Sequence, residues 1–339
     1  MLNYISMFAP FWAKVAKRVF DDRLSACHIY VTEQCNLNCH YCSEYENSIP
    51  HPSFQDLKLW IGKVKTLGCL RINLQGGEPL LHPDIVDIVQ FCTDLDLKSS
   101  MSTNGFLLNK QLVKDLERAG LGALQISVDR MTPVDATRKA LKSILPKLDL
   151  LKDSNLRFHI SGVLFKESLD EARQVIEYGL SHGISTQARL VHADPNGEFG
   201  VESGERETLE ALIDHQIREK RRGRNIHTLG PMFDYQKALL NGGSIDWACC
   251  AGYKFIFVSA KGKFWLCSTK REPDIDIMEV TPELLKRYDH EKECQKGCGV
   301  YCIISESMAL NHPLRFGVRL SWDRLKEKAF PARFSDTPN

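Results

Sequence analysis

Three cysteines lie within one short segment of the chain, at Cys35, Cys39 and Cys42. Iron–sulfur clusters are held by cysteine thiolates, and a four-iron cluster normally takes four of them. Three thiolates leave one iron without a protein ligand, and an open position on a metal is where a small molecule can bind and react. The spacing C-x3-C-x2-C therefore predicts a catalytic 4Fe-4S cluster with one open iron.

The same spacing also occurs in structural zinc sites, where a fourth protein ligand closes the coordination shell. His40 is the nearest candidate for that ligand, but it directly follows Cys39 and is expected to point elsewhere. Iron is therefore the favoured interpretation of this segment, and zinc is the alternative.

The segments around these cysteines alternate between strand-like and helix-like patterns from about residue 26 to residue 222. Such alternation predicts a parallel sheet with crossover helices. Six units are too few for a closed barrel of eight, so the expected fold is α/β with a partial, TIM-like (β/α)6 barrel, whose chemistry would lie at the carboxyl ends of the strands. Strands are predicted at 26–32, 70–75, 98–103, 123–129, 156–164 and 184–191, and helices at 54–67, 82–95, 110–119, 134–151, 168–182 and 203–222.

A second motif follows the second predicted strand, where Gly76, Gly77, Glu78 and Pro79 are consecutive. Two residues without side chains expose the backbone and let a ligand approach it closely. With Tyr41 at the aromatic position of C-x3-C-x-aromatic-C, the chain resembles the radical S-adenosylmethionine (SAM) superfamily. That resemblance implies an open iron that chelates SAM, electron transfer that cleaves SAM to a 5′-deoxyadenosyl radical, and hydrogen abstraction from a substrate by that radical. It also implies that the Gly-Gly-Glu-Pro segment holds the amino group of SAM.

Further contacts to SAM are expected at the ends of the third and fourth strands. Thr103 and Asn104 mark the turn after strand three, while the period of two places Ser127 and Asp129 on one face of strand four. A hydroxyl and a carboxylate that point together suit the ribose of SAM, although Asp129 would equally serve as a helix cap. The resemblance implies that Ser127 contacts SAM and that Arg138, in an Asp-x-x-Arg segment, pairs with the methionyl carboxylate. The alternative for Arg138 is an exposed helix arginine.

Six more cysteines cluster towards the C-terminus, around a predicted hairpin with strands at 253–259 and 263–267. Cys250, Gly262 and Cys267 have the opening spacing of SPASM and twitch domains, and this resemblance implies an auxiliary iron–sulfur cluster. Six cysteines are too few for two fully ligated clusters, so one auxiliary 4Fe-4S cluster is predicted. A zinc ribbon is the alternative. The predicted ligands are Cys250 and Cys267 with two or three of Cys294, Cys298 and Cys302, which leaves Cys249 spare.

Composition is that of an ordinary globular protein, with 339 residues, 43% hydrophobic and 26% charged. A formal net charge of +1 provides no long-range attraction for nucleic acid. Clustered cysteines without a cleavable signal peptide predict the reducing cytoplasm, and Cys27, Cys69 and Cys92, outside the clusters, are expected to be small buried residues. The predicted divisions are an N-terminal amphipathic helix in 1–25, the barrel in 26–222, a linker in 223–241, the auxiliary-cluster domain in 242–310, and a C-terminal helix and tail in 311–339.

The N-terminal stretch has Phe11, Trp12 and Val15 on one helical face and lysines on another. Such a helix can contact a membrane surface. Covering the core of its own domain is the simpler expectation, because globular helices routinely show this pattern. The stretch is too short and too charged to span a bilayer.

Polar residues predicted to point inward from strands five and six are candidates for the substrate pocket. They are His159, Ser161, Arg189 and His192, with Asp194 just beyond. Only about 25 residues precede the first strand, so no leader-binding domain is expected there. This favours a small molecule, such as a sugar, a nucleoside or a lipid-derived alcohol, over the alternative of a peptide substrate.

Two reaction modes are consistent with these residues. Oxidation of a substrate radical through the auxiliary cluster is favoured, and quenching of the radical by a thiol hydrogen, with Cys249 as the donor, is the alternative. The expected redox partner is a reductant such as flavodoxin or ferredoxin. An electron-transfer or assembly protein that keeps the scaffold without radical chemistry is the alternative of another class.

Overall fold

The structure is a computed structural model, and it describes residues 17–313 apart from 19, 192–202, 244, 246 and 312. The predicted N-terminal helix and the predicted C-terminal helix and tail therefore lie almost wholly outside the described residues. His192 and Asp194 also lie outside them. Within the described part of the chain, no helix has the length and apolar character needed to cross a membrane.

Six parallel strands form the main part of the sheet, and each pairs with its neighbours in sequence order. This arrangement confirms the predicted α/β class. The strand bounds agree with those predicted to within two residues at either end. The strands are β1 (Ala26–Thr32), β2 (Arg71–Gly76), β3 (Lys98–Thr103), β4 (Leu124–Ser127), β5 (Phe158–Leu164) and β6 (Ser185–Leu190).

Helices follow these strands and pack their apolar faces against the sheet. In the first of them, Ser53 and Asp56 form a capping box, and Leu57, Ile61 and Val64 are buried. One core cluster fills the space between the helices and the parallel strands. The helices are α1 (Phe54–Thr66), α2 (Ile85–Asp94), α3 (Lys110–Arg118), α4 (Leu141–Lys152), α5 (Leu169–Ser181) and α6 (Arg206–Arg221).

The segment before α4 differs from the prediction of a helix over 134–151. The backbone N–H of Asp129 donates to the carbonyl of Lys139 (2.8 Å), and that of Leu141 donates to the carbonyl of Arg130 (2.9 Å). Because these bonds tie residues 129–130 to 139–141, the intervening residues form a turn with isolated bridges rather than a helix. The prediction of a helix was therefore wrong for its first seven residues, 134–140.

The C-terminal region continues the same sheet. Strand β7 (Phe255–Val258) pairs in parallel with β1, and β8 (Lys263–Trp265) and β9 (Pro273–Asp276) follow it as antiparallel neighbours. The predicted hairpin is thus present, and the sheet formed by the described residues has nine strands in the order β6-β5-β4-β3-β2-β1-β7-β8-β9.

Three helices were not predicted in this region. Helix α7 (Gly230–Leu240) occupies the predicted linker 223–241, with Pro231 in its first turn and Met232, Phe233 and Tyr235 buried. The short α8 (Pro282–Lys286) and α9 (Tyr301–Asn311) follow. The segment predicted as a linker therefore contains a helix that packs its apolar residues into the core.

Helix α9 lies across the amino ends of the first strands. The Glu306 carboxylate accepts a hydrogen bond from the Ser25 hydroxyl (2.9 Å) and forms an ion pair with Arg71, which begins β2. These contacts attach α9 to the end of the barrel opposite the three-cysteine loop.

Candidate active site

The three-cysteine loop follows β1, and Cys35, Cys39 and Cys42 all line one cavity of about 520 Å³. Hydrogen bonds hold the loop at several points. The side chain of Asn47 accepts from the Cys35 N–H (2.8 Å), and the N–H of His40 donates to the Ala136 carbonyl (3.0 Å). The loop therefore presents three thiols to one space.

Gly76 and Gly77 let this loop lie directly against the end of β2. A Cβ on Gly76 would lie 1.7 Å from the carbonyl oxygen of Thr32, and Gly76 has φ +141°. A Cβ on Gly77 would lie 2.3 Å from the carbonyl oxygen of Gln34. Because only glycine fits both positions, the pair has a packing role as well as an exposed backbone in the cavity.

Glu78 holds the turn after β3 and does not line the cavity. Its carboxylate accepts from the Thr103 hydroxyl (2.6 Å), the Asn104 N–H (2.7 Å) and the Leu80 N–H (3.0 Å). Burial raises the pKa of Glu78, and these donors oppose the rise. Thr103 and Asn104 do line the cavity, whereas Glu78 and the buried Pro79 contribute by positioning the turn.

Asp129 is also a positioning residue, contrary to its predicted contact with SAM. Its carboxylate accepts from the Tyr41 hydroxyl (2.5 Å), the Thr137 hydroxyl (3.1 Å) and the Val163 N–H (3.1 Å). It is buried and lies behind the cavity wall, whereas Ser127 from the same strand lines the cavity. Asp129 thereby fixes the aromatic ring of the cysteine motif.

The cation that faces the cysteines is Lys139, which was not predicted. Its ammonium group donates to the Tyr41 hydroxyl (3.1 Å), and Lys139 lines the cavity. Burial by itself lowers the pKa of Lys139, but Tyr41, Cys42, Asp129 and Cys39 around it raise the pKa well above its usual value. Lys139 is therefore charged.

Arg138, the predicted partner of the SAM carboxylate, is exposed and does not line the cavity. The extended turn before α4 explains why Lys139 rather than Arg138 faces the cavity, because alternate residues point to opposite sides of an extended chain. Thr137 and Lys139 are on the inner side, where Thr137 is buried, and Arg138 is on the outer side. In the sequence, the lysine directly after the motif arginine was the signal for this cation. Using that signal required recognising that the segment is extended.

Another part of the cavity is lined by polar residues from β4, β5 and β6 and from α9. Arg189 donates to the Ser161 hydroxyl (2.9 Å) and to the Gln125 side-chain oxygen (3.4 Å). The rings of His159 and His227 stack with centroids 3.8 Å apart. Of the predicted pocket residues, His159 and Arg189 line the cavity, and Ser161 lies behind them as a buried acceptor.

The C-terminal cysteines come together from separate segments. The side chain of Gln295 accepts from the Cys249 N–H (3.4 Å) and donates to the Trp247 carbonyl (2.8 Å), and the Tyr235 hydroxyl donates to the Cys298 carbonyl (2.7 Å). Burial raises the pKa of the Cys298 thiol to about 12, and the neighbouring thiols of Cys249, Cys267 and Cys294 add to the rise. The four thiols therefore lie close enough to one another for their charges to interact.

Cys250 points away from these four thiols, although it was predicted as a ligand. Its sulfur accepts a hydrogen bond from the Ser307 hydroxyl (3.2 Å), and its N–H donates to the same hydroxyl (3.0 Å). Cys250 is buried, whereas its neighbour Cys249 is half-buried. Cys302 differs again, because it lines the main cavity together with Tyr301. Cys249, the predicted thiol donor, does not line that cavity.

Comparison with known proteins identifies the superfamily. Residues 29–179 match the radical SAM superfamily, and this match includes the three-cysteine loop and the Gly-Gly-Glu-Pro segment. The part of the chain that contains the three-cysteine loop is therefore a radical SAM domain. Members of this superfamily use a 4Fe-4S cluster and SAM.

Two relatives illustrate the match in sequence. GTP 3′,8-cyclase from Campylobacter jejuni subsp. doylei is 32% identical over 174 residues, which are 48% of this chain and 54% of the cyclase. The match therefore spans about half the length of that radical SAM relative. AdoMet-dependent heme synthase from Methanosarcina barkeri is 27% identical over 303 residues, which are 80% of this chain and 86% of the synthase.

Solved structures share the fold at low identity. SuiB from Streptococcus suis has a TM-score of 0.61 and 17% identity, with 87% of this chain and 72% of SuiB covered. The enzyme anSMEcpe with bound AdoMet has a TM-score of 0.60 and 15% identity, with 91% of this chain and 99% of that chain covered. These similarities confirm the barrel architecture expected for a radical SAM protein.

Proposed function

We propose that this radical SAM enzyme cleaves SAM reductively to a 5′-deoxyadenosyl radical and uses the radical to abstract a hydrogen from a small molecule. The observation that carries the proposal is that Cys35, Cys39 and Cys42 line one wall of a cavity that also reaches Gly77 and Ser127. The predicted sulfur ligands and the predicted SAM contacts thus border one space.

The donor set fits a 4Fe-4S cluster with one open iron. Three free thiols from a single loop face the cavity. His40, the residue that zinc would recruit, is exposed and is not one of the described residues lining the cavity. When bound, the cluster would deliver the electron that cleaves SAM, and the protein would bind, orient and enclose the reactants.

Lys139 is proposed to hold the carboxylate of SAM in place of Arg138. Its ammonium group is charged, half-buried beside the cysteine loop and held by Tyr41, which Asp129 holds in turn. Such a cation forms a strong charge-assisted hydrogen bond with a carboxylate. The backbone of Gly76 and Gly77 would receive the amino group at the same end of the cavity.

An auxiliary 4Fe-4S cluster of SPASM or twitch type is proposed to bind Cys249, Cys267, Cys294 and Cys298. Their mutual neighbourhood supports this set. The hydrogen bond from Ser307 holds the Cys250 sulfur elsewhere, so Cys249 replaces Cys250 in the proposed ligands. Electrons in such a cluster would enter or leave next to the cavity, because Cys302 in the cavity wall lies close enough to Cys267 for their charges to interact.

Oxidation of the substrate radical is the proposed outcome. The quenching alternative relied on Cys249, which lies outside the cavity lining. Turnover in deuterated water tests the alternative, since quenching by a thiol places solvent deuterium in the product. If the product took up deuterium and Cys302→Ala abolished that uptake, the outcome would be quenching by the Cys302 thiol, which faces the cavity, and not oxidation.

A small molecule is the proposed substrate class. The relatives matched in sequence are named as a GTP cyclase and a heme synthase. The cavity of about 520 Å³ has the volume of a small-molecule site. At its far end α9 is attached to the strands through Glu306.

The central experiment uses anaerobically reconstituted protein with dithionite and SAM. Wild type is expected to release 5′-deoxyadenosine, and Cys39→Ala is expected to release none. Cys92→Ala is the matched control, because Cys92 is buried in the apolar core and should not affect cleavage. Wild-type protein with a full iron content but without 5′-deoxyadenosine release would instead indicate an electron-transfer or assembly protein.

A further inference from the structure

The end of the cavity nearest α9 contains a guanidinium whose contacts are all uncharged. Arg189 donates to Ser161 and Gln125, and its guanidinium lies 4.8 Å from the centre of the Tyr301 ring. Among the described residues, none forms an ion pair with Arg189. Arg189 is half-buried, and a cation partly removed from water is costly without a counter-ion, so this position favours an anion that enters the cavity.

Arg189 and Lys139 are held by different parts of the molecule. Arg189 is the fifth residue of β6, and its guanidinium donates to Gln125 of β4 and to Ser161 of β5. Lys139, the cation proposed to serve SAM, donates instead to Tyr41 of the cysteine motif. Arg189 is therefore a second cation in the cavity lining, with partners of its own.

Two stacked histidines next to Arg189 add hydrogen-bonding capacity. The Nε2 atom of His159 is buried without a hydrogen-bond partner among the described residues, and His159 lines the cavity. Burial, together with Arg189 and Lys220, lowers the pKa of His227 to about 4. Burial also lowers the pKa of His159, so both rings are neutral near pH 7 and can each donate one N–H to an anion.

The carboxylates near Arg189 are already engaged by other groups. Glu306 forms an ion pair with Arg71 and also accepts from Ser25. Asp129 is close enough to oppose the lowering of the Arg189 pKa by burial, but its carboxylate accepts from Tyr41, Thr137 and Val163. Among the described residues, Arg189 therefore has no carboxylate in direct contact with it.

We propose that Arg189, with His159 and the face of Tyr301, forms a subsite that binds an anionic group of the substrate, either a carboxylate or a phosphate. This inference rests on the proposed function and deepens it by naming the substrate class. Arginine binds both groups through parallel N–H···O bonds, which a lysine cannot reproduce. An anion held there would leave the rest of the substrate in the space facing the cysteine loop.

The test is calorimetric titration of inorganic phosphate, and separately of acetate, into reconstituted holoenzyme with SAM bound at low ionic strength. Wild type is expected to bind at least one of the two anions. Arg189→Met should weaken that binding by about tenfold or more, and Arg189→Lys should give an intermediate affinity because it keeps the charge but not the planar fork. Arg138→Met is the matched control and should bind as wild type does, since Arg138 is exposed.

The two anions distinguish the chemistry of the substrate, because preference for phosphate indicates a phosphate ester and preference for acetate indicates a carboxylate. The proposal is overturned if neither anion binds, or if Arg189→Met binds them as tightly as wild type. It is also overturned if Arg189→Met weakens SAM binding, since the guanidinium would then serve SAM. Failure of wild type to cleave SAM would refute the proposed function while leaving the anion affinities measurable.

Discussion

The two cysteine groups of this chain are held in different ways. Cys35, Cys39 and Cys42 belong to one loop, whose own hydrogen bonds fix it after β1. The C-terminal group is assembled from three segments, which side chains such as Gln295 and Tyr235 bring together. Ligands on one loop can therefore be recognised from spacing, whereas ligands from several segments depend on packing.

The neighbouring pair Cys249 and Cys250 shows the consequence most clearly. Spacing to Gly262 and Cys267 is compatible with either residue, because the two differ by a single position. The hydroxyl of Ser307, on α9, decides between them by engaging Cys250. A contact more than fifty residues away along the chain therefore determines which thiol is free.

The largest difference is expected when several cysteines of one group are replaced together. Replacing Cys35, Cys39 and Cys42 by alanine should abolish SAM cleavage and remove about four of about eight irons per chain, because each cluster holds four. Replacing Cys267 and Cys298 by alanine should remove a similar amount of iron and leave SAM cleavage without substrate intact. Iron analysis and 5′-deoxyadenosine assays measure both. Zinc in place of iron at the second group would show that the C-terminal region is a zinc ribbon.

The next test separates the two adjacent cysteines. Cys249→Ala should lose the auxiliary cluster, seen as about half of the iron and of the visible absorbance. Cys250→Ala should keep both and lose stability by about 1 kcal/mol, because it removes a buried hydrogen bond to Ser307. Iron loss in Cys250→Ala but not in Cys249→Ala would show that Cys250 is the ligand.

A smaller effect is expected from the cation beside the first group. Lys139→Met should raise the KM for SAM by about tenfold to a hundredfold, because a charge-assisted bond to the carboxylate is lost. Arg138→Met should change the KM by less than about twofold, since an exposed charge contributes little. If Arg138→Met raised the KM for SAM and Lys139→Met did not, the turn before α4 would have to rearrange when SAM binds.

The smallest effects should come from two hydroxyls, one next to each group. Tyr41→Phe removes the bond to Asp129, and Tyr235→Phe removes the bond to the Cys298 carbonyl. Each is expected to cost about 1 kcal/mol, which thermal melts of the anaerobic holoprotein can measure. Loss of iron in Tyr235→Phe, with none lost in Tyr41→Phe, would show that the second group is the less rigid of the two.

Much of the barrel could be predicted from the sequence. Alternating apolar segments located β1 and β3 with their observed bounds, and the motifs after β1 and β2 lie where the family resemblance implied. These features are local, because strand pattern and ligand spacing depend on neighbouring residues alone.

The errors occur where distant contacts override the local pattern. Backbone hydrogen bonds of Asp129 and Arg130 with residues 139 and 141 replace the predicted start of α4 by an extended turn. In this turn Lys139, and not Arg138, lines the cavity. Helix α7 was taken for a linker because its apolar residues show little one-sided pattern, and they are buried by packing against the barrel and α9. The same long-range packing is the reason that Cys249 rather than Cys250 is proposed as a ligand.

The parallel pairing of Phe255–Val258 with β1 has a practical consequence for protein engineering. A truncated version that ends before residue 255 would leave the N–H and C=O groups along that side of β1 bare, and unpaired strand edges promote self-association. The cysteine-rich region thus shares one sheet with the barrel, and expressing the first 222 residues alone is expected to yield aggregates rather than a minimal enzyme.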